Sequence, residues 1–333
     1  MKVLVLRFSS IGDIVLITPV LRCLKQQLGA EVHVLTKKAY AAVLEANPNI
    51  ARLWTFEKEV TECLPDLKRE RYDLVLDLHH NLRSLRVKLA LRRPTRTFDK
   101  LNFKKWLLVR FGINRLPDKH IVERYIAPLQ EFGVKYDGRG LDYFIPEKDT
   151  VEIAQTFPGL AAGEYFALAV GAAHATKQIP MQQMADLCRS LAQPVILLGG
   201  KNDWEKGREI AELAGPEVRN ACGLLSLHGS ASVIRQSRAV CAPDTGLMHI
   251  AAALKKPLVS VWGNTVPAFG MYPLLPEGMA PARCAEVPGL KCRPCSKLGH
   301  DVCPEKHFNC MRQQDMTKIA GFLLAEQPKN GSE

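Results

Sequence analysis

Short apolar runs and amphipathic stretches alternate along the chain. An unbroken apolar run is typical of a strand buried on both faces, and apolar positions three or four residues apart are typical of a covering helix. The runs predict strands at residues 3–8, 31–36, 52–56, 72–78, 165–170, 195–198, 239–242 and 258–262. The amphipathic stretches predict helices from the first loop toward residue 28, near 39–45 and 60–69, and at 181–191, 204–214, 227–236 and 247–254.

This alternation predicts an α/β fold with parallel sheets. It runs in two series, and the polar segment at residues 146–149 between them has the composition of a linker. We therefore predict two Rossmann-like domains, residues 1–150 and 151–333, with a Cys-rich segment and a C-terminal helix in the second. Near Thr18 two interpretations stay open: a helix that starts there with proline at its first position, or a kink in a helix that starts near Asp13.

The composition is that of an ordinary globular protein, with 47% hydrophobic and 24% charged residues among 333. Arg7 and Asp13 interrupt the apolar N-terminus, which therefore predicts neither a signal peptide nor a membrane span. We expect the protein to stay in the cytoplasm. The formal net charge of +11 favours an anionic partner, and nucleic acid, an acidic membrane surface and a phosphorylated small molecule all fit.

The segment Asp244-Thr245-Gly246 follows a predicted strand and opens a predicted helix. A helix start carries unsatisfied N–H groups and a partial positive charge, so it suits a phosphate. Gly246 lets a ligand approach the backbone, Thr245 can donate its hydroxyl, and Asp244 suits helix capping or sugar hydroxyls. The alternative is a capped helix of an α/β domain in which His249 is a satisfied structural residue.

Four segments follow one another in a distinctive order. Residues 7–19 read R-F-S-S-I-G-D-I-V-L-I-T-P, residues 171–180 read G-A-A-H-A-T-K-Q-I-P, residues 244–253 read D-T-G-L-M-H-I-A-A-A, and residues 259–265 read V-S-V-W-G-N-T. All four resemble motifs of the lipopolysaccharide heptosyltransferases, glycosyltransferase family 9. The chain departs from that pattern at Ile179, where the family usually has Trp, and at Asn264, where it usually has Pro.

The resemblance implies the GT-B fold, in which two Rossmann-like domains with parallel sheets face each other across a cleft. It also implies transfer of a heptose from ADP-heptose, with inversion, to a Kdo or heptose hydroxyl of the anionic lipid A inner core. A transferase of the same family with another nucleotide sugar or acceptor, or an inactive paralogue, is the alternative within this interpretation.

The resemblance also assigns roles to residues. Asp13 matches the general base, a role worth roughly 10²–10⁴-fold in rate, although a first-turn helix acid is its structural alternative. Lys177 is assigned to catalysis because, with the helix start at Thr245 and Gly246, it can stabilise the departing diphosphate. The implied donor-binding residues are Thr176, Lys177, Glu205, Asp244, Thr245, Gly246 and His249, with Asp203 as the alternative to Glu205 for the ribose. The expected acceptor-binding residues are Arg7, Ser9 and Ser10, which flank Asp13, and Arg83, which opens a basic stretch.

No cofactor is expected for catalysis. The chain contains no Asp-x-Asp pair, which is the usual metal anchor of the other large class of glycosyltransferases. Four cysteines near the C-terminus, Cys292, Cys295, Cys303 and Cys310, have a spacing that suits a structural zinc site. Reduced thiols and a disulfide are the alternatives for these residues.

A basic stretch runs from Arg83 to Arg110, with ten basic residues, one acid and interleaved aromatic residues. This composition suits an anionic, partly lipidic acceptor at the inner leaflet, so we expect a peripheral position on the inner face of the inner membrane. Solvated helix faces are the alternative explanation.

Three other classes of protein fit the sequence less well. A nicotinamide-dependent oxidoreductase would carry G-x-G-x-x-G after its first strand, and a P-loop NTPase would carry G-x-x-x-x-G-K-S/T; the chain has neither. A non-enzymatic binder of nucleic acid or another anionic ligand would use the positive charge, but the sequence contains no recognisable nucleic-acid-binding module. No nucleic-acid partner is therefore expected.

Overall fold

The computed structural model of the chain describes residues 1–325 and divides into two compact units. The first unit comprises Met1–Lys100 and Lys119–Phe144, and the second comprises Leu101–Asp118 and the residues from Ile145 onward. The boundary between the units lies at Phe144, a few residues before the predicted boundary at 150. The second unit also includes the earlier segment Leu101–Asp118. The assignment of acceptor binding to residues 1–150 and of donor binding to residues 151–333 stays a prediction.

The first unit is built on a five-stranded parallel sheet with the order β3-β2-β1-β4-β5. Its strands are β1 (Lys2–Leu6), β2 (Glu31–Lys37), β3 (Arg52–Phe56), β4 (Leu74–Asp77) and β5 (Thr95–Thr97). Its helices are α1 (Ile11–Val15), α2 (Thr18–Leu28), α3 (Leu64–Arg69), α4 (Leu82–Leu91) and α6 (Ile121–Ile126), and the intervening α5 (Asn102–Phe111) belongs to the second unit. The strand order reverses between β1 and β4, so the loops that follow these two strands diverge at this point.

The second unit is built on a six-stranded parallel sheet with the order β11-β10-β9-β6-β7-β8. Its strands are β6 (Phe166–Ala169), β7 (Val195–Leu198), β8 (Val218–Asn220), β9 (Val240–Pro243), β10 (Leu258–Trp262) and β11 (Arg283–Glu286). Its remaining helices are α7 (Ile153–Thr156), α8 (Met181–Leu191), α9 (Trp204–Ala214), α10 (Leu227–Gln236), α11 (Gly246–Ala253), α12 (Asn309–Arg312) and α13 (Met316–Ala325). Here the order reverses between β6 and β9.

The predicted α/β fold with parallel sheets is confirmed. All residues of the central strands β6, β7, β9 and β10 are buried, because helices cover both faces of the sheet. The unbroken apolar runs in the sequence result from this burial on both faces of the sheet. Among residues 1–325, no helix combines the length and the apolar character needed to cross a bilayer.

Three strands, β5, β8 and β11, were not predicted. Each has only three or four residues, and β5 lies at one edge of its sheet while β8 and β11 form the two edges of the other. Edge strands bury less surface, so they show no continuous apolar run. Helices α4, α5 and α6 were also missed.

The helix predicted near residues 39–45 is wrong. The segment Lys38–Val43 forms a 3-10 helix in which only Val43 is buried, so it has no apolar face long enough to support an α-helix. At Thr18 the first interpretation is confirmed, because α1 ends at Val15 and a separate helix, α2, starts at Thr18 with Pro19 in its first turn.

Arg22 is a buried ionic centre of the first unit. Its side chain is 4% exposed, and it donates to both carboxylate oxygens of Asp137 at 2.7 and 2.8 Å. It also donates to Asp142 and to the carbonyl of Gly140. Burial alone would raise the pKa of Asp137, but the hydrogen bond and charge of Arg22 outweigh it and lower this pKa to about 2. These bonds of Arg22 tie α2 to residues 137–142, near the end of the first unit.

We predict that Arg22→Met lowers the free energy of unfolding of the first unit by about 2–4 kcal/mol, because Asp142 loses its cation and Asp137 keeps only the more exposed Arg139. Urea denaturation followed by amide hydrogen exchange of β1, which lies in this unit, measures the change. Arg69→Met is the control, since the Arg69–Asp66 pair is exposed and should contribute less than about 1 kcal/mol. Equal effects of Arg22→Met and Arg69→Met would contradict the prediction.

The contribution of Asp137 to stability should persist at neutral pH and disappear as pH falls from 3.8 toward about 2.

Candidate functional site

Asp13 lies in the first unit, in the loop region where the strand order reverses. It is the third residue of α1, and its Oδ2 accepts hydrogen bonds from the backbone N–H and the hydroxyl of Ser10, both at 3.2 Å. Its Oδ1 lies 2.6 Å from Nη2 of Arg7, and 24% of its side chain remains exposed. The residue is therefore a first-turn helix acid and also a carboxylate that a solute can reach.

Arg7 holds this carboxylate from inside the protein. Its Nε donates to the carbonyl of Ser9 at 3.0 Å, and its Nη1 donates to the carbonyl of Leu78 and to the hydroxyl of Tyr125. Burial acts to lower the pKa of Arg7, but the nearby negative charge of Asp13 outweighs it and the pKa is raised. Arg7 is thus a permanent cation that links the loops after β1 and β4 and orients Asp13.

His79 is a residue that the sequence analysis missed. It follows β4 at the same edge of the sheet, and its ring packs 4.6 Å from that of Phe8, measured between centroids. Its Nδ1 is buried and has no hydrogen-bond partner among residues 1–325. Burial, followed by the positive charges of Arg7 and Lys100, lowers the pKa of His79 to about 4. A neutral imidazole therefore lies near the Arg7–Asp13 pair.

The other predicted acceptor residues lie in the same region of the first unit. Ser10 is exposed and caps α1, and Ser9 is half-buried in the preceding loop. Arg83 is the second residue of α4, which begins just after β4. Their role as acceptor-binding residues stays a prediction.

A second cluster lies in the second unit, where its strand order reverses. Lys177 follows β6 and Asp244 follows β9, and the Lys177 Nζ lies 2.6 Å from the Asp244 Oδ2. The hydroxyl of Thr265, which follows β10, donates to the same oxygen at 2.9 Å. The two charged side chains are only 16% and 11% exposed, so the pair is weakly screened by solvent.

The start of α11 completes this cluster. Thr245 is the N-cap residue and Gly246 is the first helical residue, but Thr245 Oγ1 is buried and has no partner in the described chain. Both polar side-chain atoms of the buried Asn264 also lack partners there. Leaving such a group unsatisfied costs about 1–3 kcal/mol, so these atoms are suited to receive a ligand. His249 is buried in the first turns of the same helix.

Thr176 is engaged elsewhere. Its hydroxyl donates to the carbonyl of His300 at 3.0 Å and accepts from the His300 N–H at 2.8 Å. These bonds fasten the loop that carries Lys177 to the Cys-rich segment. Whether Thr176 also contacts the donor stays a prediction.

A cavity of about 530 Å³ opens beyond the ends of β6 and β7, and it is lined by Ala172, Ala173, Gln178, Gly200, Lys201, Asn202, Asp203 and Lys206. Asp203 lines this cavity, and its Oδ2 accepts from the Gly200 N–H at 2.7 Å. Glu205 is 69% exposed and pairs with Arg208 at 3.0 Å on the surface of α9. Of the two candidates for the ribose, the structure therefore places Asp203, not Glu205, in the cavity wall, and the assignment itself stays a prediction.

Lys206 is a further cation at this cavity that the sequence analysis missed. Its Nζ donates to the side-chain carbonyl of Gln178 and the backbone carbonyl of Ile179, both at 3.1 Å. Burial lowers its pKa. The buried Ile179, where the family usually has Trp, is thus part of the wall that holds Lys206 rather than an exposed stacking surface.

The four C-terminal cysteines are free thiols in the structure. Burial, followed by the charge of the Cys295 thiolate, raises the pKa of Cys310 to about 11. Within residues 1–325, these thiols are not among the groups of three or more ligand atoms that lie within 4.8 Å of one another. Structural zinc on Cys292, Cys295, Cys303 and Cys310 stays a prediction.

A model of Glycosyltransferase family 9 (heptosyltransferase) matches residues 61–285, which is more than half of the chain. The chain belongs to this family. It is therefore a glycosyltransferase, and the non-enzymatic alternative is set aside.

Named relatives agree with this membership. Lipopolysaccharide heptosyltransferase 1 of Pseudomonas aeruginosa is 28% identical, over 98% of this chain and 99% of that protein. Lipopolysaccharide heptosyltransferase 2 of Salmonella typhimurium is 26% identical, over 81% of this chain and 84% of that protein.

Solved structures show the fold of this glycosyltransferase. The structure of Escherichia coli ADP-heptose lipopolysaccharide heptosyltransferase II matches with a TM-score of 0.69 at 23% identity, covering 98% of this chain and 99% of that one. The structure of E. coli heptosyltransferase WaaC with ADP-2-deoxy-2-fluoro heptose matches with a TM-score of 0.62 at 23% identity, covering 87% and 94%. The GT-B fold is confirmed.

We predict that Thr245→Val weakens ADP binding by about tenfold without destabilising the glycosyltransferase, because the hydroxyl it removes has no hydrogen-bond partner among residues 1–325. Calorimetry with ADP and thermal unfolding measure the two effects. Ser226→Ala is the matched control, since Ser226 caps α10 by accepting from the Gly229 N–H at 3.0 Å. It should cost about 1 kcal/mol of stability and leave ADP binding unchanged. Unchanged ADP binding by Thr245→Val would contradict the prediction.

We also predict that His79 makes the first unit less stable at mildly acidic pH. Its pKa is lowered from 6.5 to about 4 in the folded state, so the unfolded chain binds the proton more readily. The contribution of the neutral imidazole is therefore full above pH 6.5 and is lost as pH falls toward about 4. Going from pH 7 to pH 5 should cost the wild type on the order of 1 kcal/mol more than His79→Gln, as measured by urea denaturation. An equal loss in both proteins would show that His79 titrates normally.

Proposed function

We propose that this glycosyltransferase transfers a heptose from ADP-heptose to a Kdo or heptose hydroxyl of the lipopolysaccharide inner core, with inversion. The names of its relatives, lipopolysaccharide heptosyltransferases 1 and 2, support the sugar and the acceptor. The WaaC structure with ADP-2-deoxy-2-fluoro heptose and another with ADP support the nucleotide. A different nucleotide sugar or acceptor within the family is the alternative.

The observation that carries the proposal is the site around Lys177 in the second unit. A cation, an unsatisfied threonine hydroxyl and the N-terminus of α11 converge where the strand order reverses. These groups can bind a diphosphate and neutralise the charge that develops when its bond to the sugar breaks. In the free enzyme Asp244 balances Lys177, and a bound diphosphate would share this cation.

Asp244 has a second use in this proposal. Its Oδ2 is held by Lys177 and Thr265, which fixes the direction of the carboxylate. A carboxylate fixed at the entrance to a diphosphate site can accept hydrogen bonds from sugar hydroxyls. It would orient the heptose with its C1 toward the incoming acceptor.

Asp13 is proposed as the general base. The acceptor hydroxyl would give its proton to the exposed carboxylate as its oxygen attacks C1 of the heptose. The C1–oxygen bond to the diphosphate breaks in the same step, and ADP leaves. Arg7 holds the carboxylate in one direction through their 2.6 Å ion pair, and the neutral His79 beside it adds no competing positive charge.

The proposal requires no metal for the transfer. Lys177 and the start of α11 provide the positive charge that a metal ion bound by an Asp-x-Asp pair provides in the other large class of glycosyltransferases.

We propose that the Cys-rich segment braces the donor site. The N–H of Cys295 donates to the Asn264 carbonyl at 3.2 Å, and Arg293 donates to the Thr265 carbonyl at 2.9 Å. A zinc ion on the four thiols would strengthen this brace.

The acceptor suggests where the enzyme works. Lipid A carries acyl chains and phosphates and is held in a membrane, so an enzyme that modifies it must reach the membrane surface. We propose a cytoplasmic enzyme that is peripheral on the inner face of the inner membrane. The basic residues of α4, among them Arg83, would attract its phosphates.

We predict that Asp13→Asn lowers kcat for transfer from ADP-heptose to a Kdo–lipid A acceptor by roughly 10²–10⁴-fold, because it removes the base. Calorimetric ADP affinity should not change, since the nucleotide binds in the other unit. Asp66→Asn is the matched control, because Asp66 is also a first-turn helix acid of the first unit and should leave kcat unchanged. Transfer by the wild type should persist in EDTA.

Each other outcome has a distinct meaning. ADP binding without heptosylated product would point to another donor or acceptor. Product formation by Asp13→Asn at the wild-type rate would rule out this residue as the base. Neither product nor ADP binding would indicate an inactive paralogue.

A further inference from the structure

Helix α5 presents an aromatic cluster to solvent. Phe103 is 69% exposed, Trp106 48% and Phe111 58%. The rings of Phe103 and Trp106 stack with centroids 5.9 Å apart, and those of Trp106 and Phe111 meet edge to face at 5.2 Å. Of the ten residues of α5, only Leu108 is buried. The three rings therefore contact one another rather than the core, although such large side chains usually lie inside.

Basic residues surround this aromatic cluster. Lys104, Arg110 and Arg115 are exposed in α5 and the loop that follows it. Ile113, 46% exposed, extends the apolar surface just beyond the helix. The acids nearest in sequence, Asp99 and Asp118, lie outside α5 on either side. An apolar aromatic surface within a positive field is complementary to an anionic lipid surface, where aromatic rings lie at the headgroup level.

The length of α5 decides the mode of contact. A helix of ten residues is about half as long as the roughly 20 residues that a span requires. It can lie along the interface with its rings among the headgroups and its cations on the lipid phosphates. We propose that the aromatic cluster of α5 docks the enzyme on an anionic phospholipid bilayer. This inference rests on the proposed function, because a lipid-borne acceptor gives the enzyme a reason to be at that surface.

Helix α4 of the first unit shows a similar pattern with aliphatic residues. Leu82, Leu85 and Leu89 are 79%, 42% and 66% exposed, and their spacing places them on one face of the helix. The opposite side of the helix, with Val87 and Leu91, is buried. This second exposed face lies among basic residues as well, so it supports lipid as the partner and serves as an internal comparison for α5.

Trp106 is a built-in reporter for the test. Full-length enzyme carrying Trp54→Phe and Trp204→Phe, which leaves Trp106 and the buried Trp262, is mixed with vesicles of phosphatidylglycerol and phosphatidylethanolamine or of phosphatidylcholine alone. We expect a blue shift of Trp106 fluorescence and co-sedimentation with the anionic vesicles, both weakened by salt. The double variant Phe103→Ser/Phe111→Ser should bind these vesicles about tenfold or more weakly, because it removes two aromatic contacts.

The control variant is Leu213→Ser/Met279→Ser, which removes exposed apolar side chains outside α5 and outside the Cys-rich segment and should bind vesicles like the wild type. Transfer to a deacylated, water-soluble acceptor should be the same for the wild type and both double variants. If the wild type makes this product but does not bind anionic vesicles, the proposed docking surface is ruled out and the proposed function stands.

Two further results would also overturn the docking surface. One is loss of vesicle binding on replacing Leu82, Leu85 and Leu89 by serine while the α5 variant binds normally. The other is a change from dimer to monomer in the α5 variant, measured by light scattering, because it would show that the cluster joins two copies of the chain. Loss of transfer to the soluble acceptor by the α5 variant would show that α5 acts in the reaction itself.

Discussion

The reversal of strand order in each parallel sheet is the constraint on which the rest of this structure depends. The loops after β1 and β4, and those after β6 and β9, leave neighbouring strands in opposite directions and open a crevice at the carboxyl edge. Each crevice is occupied by an ion pair between a buried or half-buried cation and a carboxylate, Arg7 with Asp13 and Lys177 with Asp244. The same reversal of strand order thus leaves a partly exposed carboxylate in one unit and a largely buried lysine in the other.

Burial determines how these charges can be used. Arg7 directs its donors at the protein itself, so it can orient Asp13 but has little freedom to follow a substrate. Lys177 is paired with the carboxylate of Asp244, and an anionic ligand can share this cation. Within the described residues 1–325, the Thr245 hydroxyl and the His79 Nδ1 are buried without a hydrogen-bond partner, which costs stability at both crevices. Such sacrifices are expected where a surface is shaped for binding rather than for folding.

The sequence predicted the central strands because two-sided burial leaves an unbroken apolar run, and it predicted the Lys177 and Asp244 segments because their motifs are local. It could not predict that Lys177 and Asp244 meet, since β6 and β9 become neighbours only through the sheet order. His79 was missed because one histidine after a strand has no motif, and its environment comes from Arg7 and Phe8, far away in the chain. Asp203 and Glu205 are only two positions apart, yet Asp203 lines the cavity and Glu205 lies on the exposed surface of α9. Exposed apolar side chains obscured the amphipathic patterns of α4 and α5, so these helices were missed too.

The bonds between Thr176 and His300 join residues that are 124 positions apart. During translation the strand β6 and the loop that carries Lys177 emerge from the ribosome long before His300 does. Until then the loop lacks its fastening, and Asn264 and Thr265 lack the backbone contacts that Cys295 and Arg293 later make. A nascent chain can therefore form the sheet of the second unit early, but the cluster of Lys177, Asp244 and Thr265 is braced only when the Cys-rich segment has been synthesised and has packed. The order of synthesis thus delays completion of this cluster until nearly all of the described chain exists.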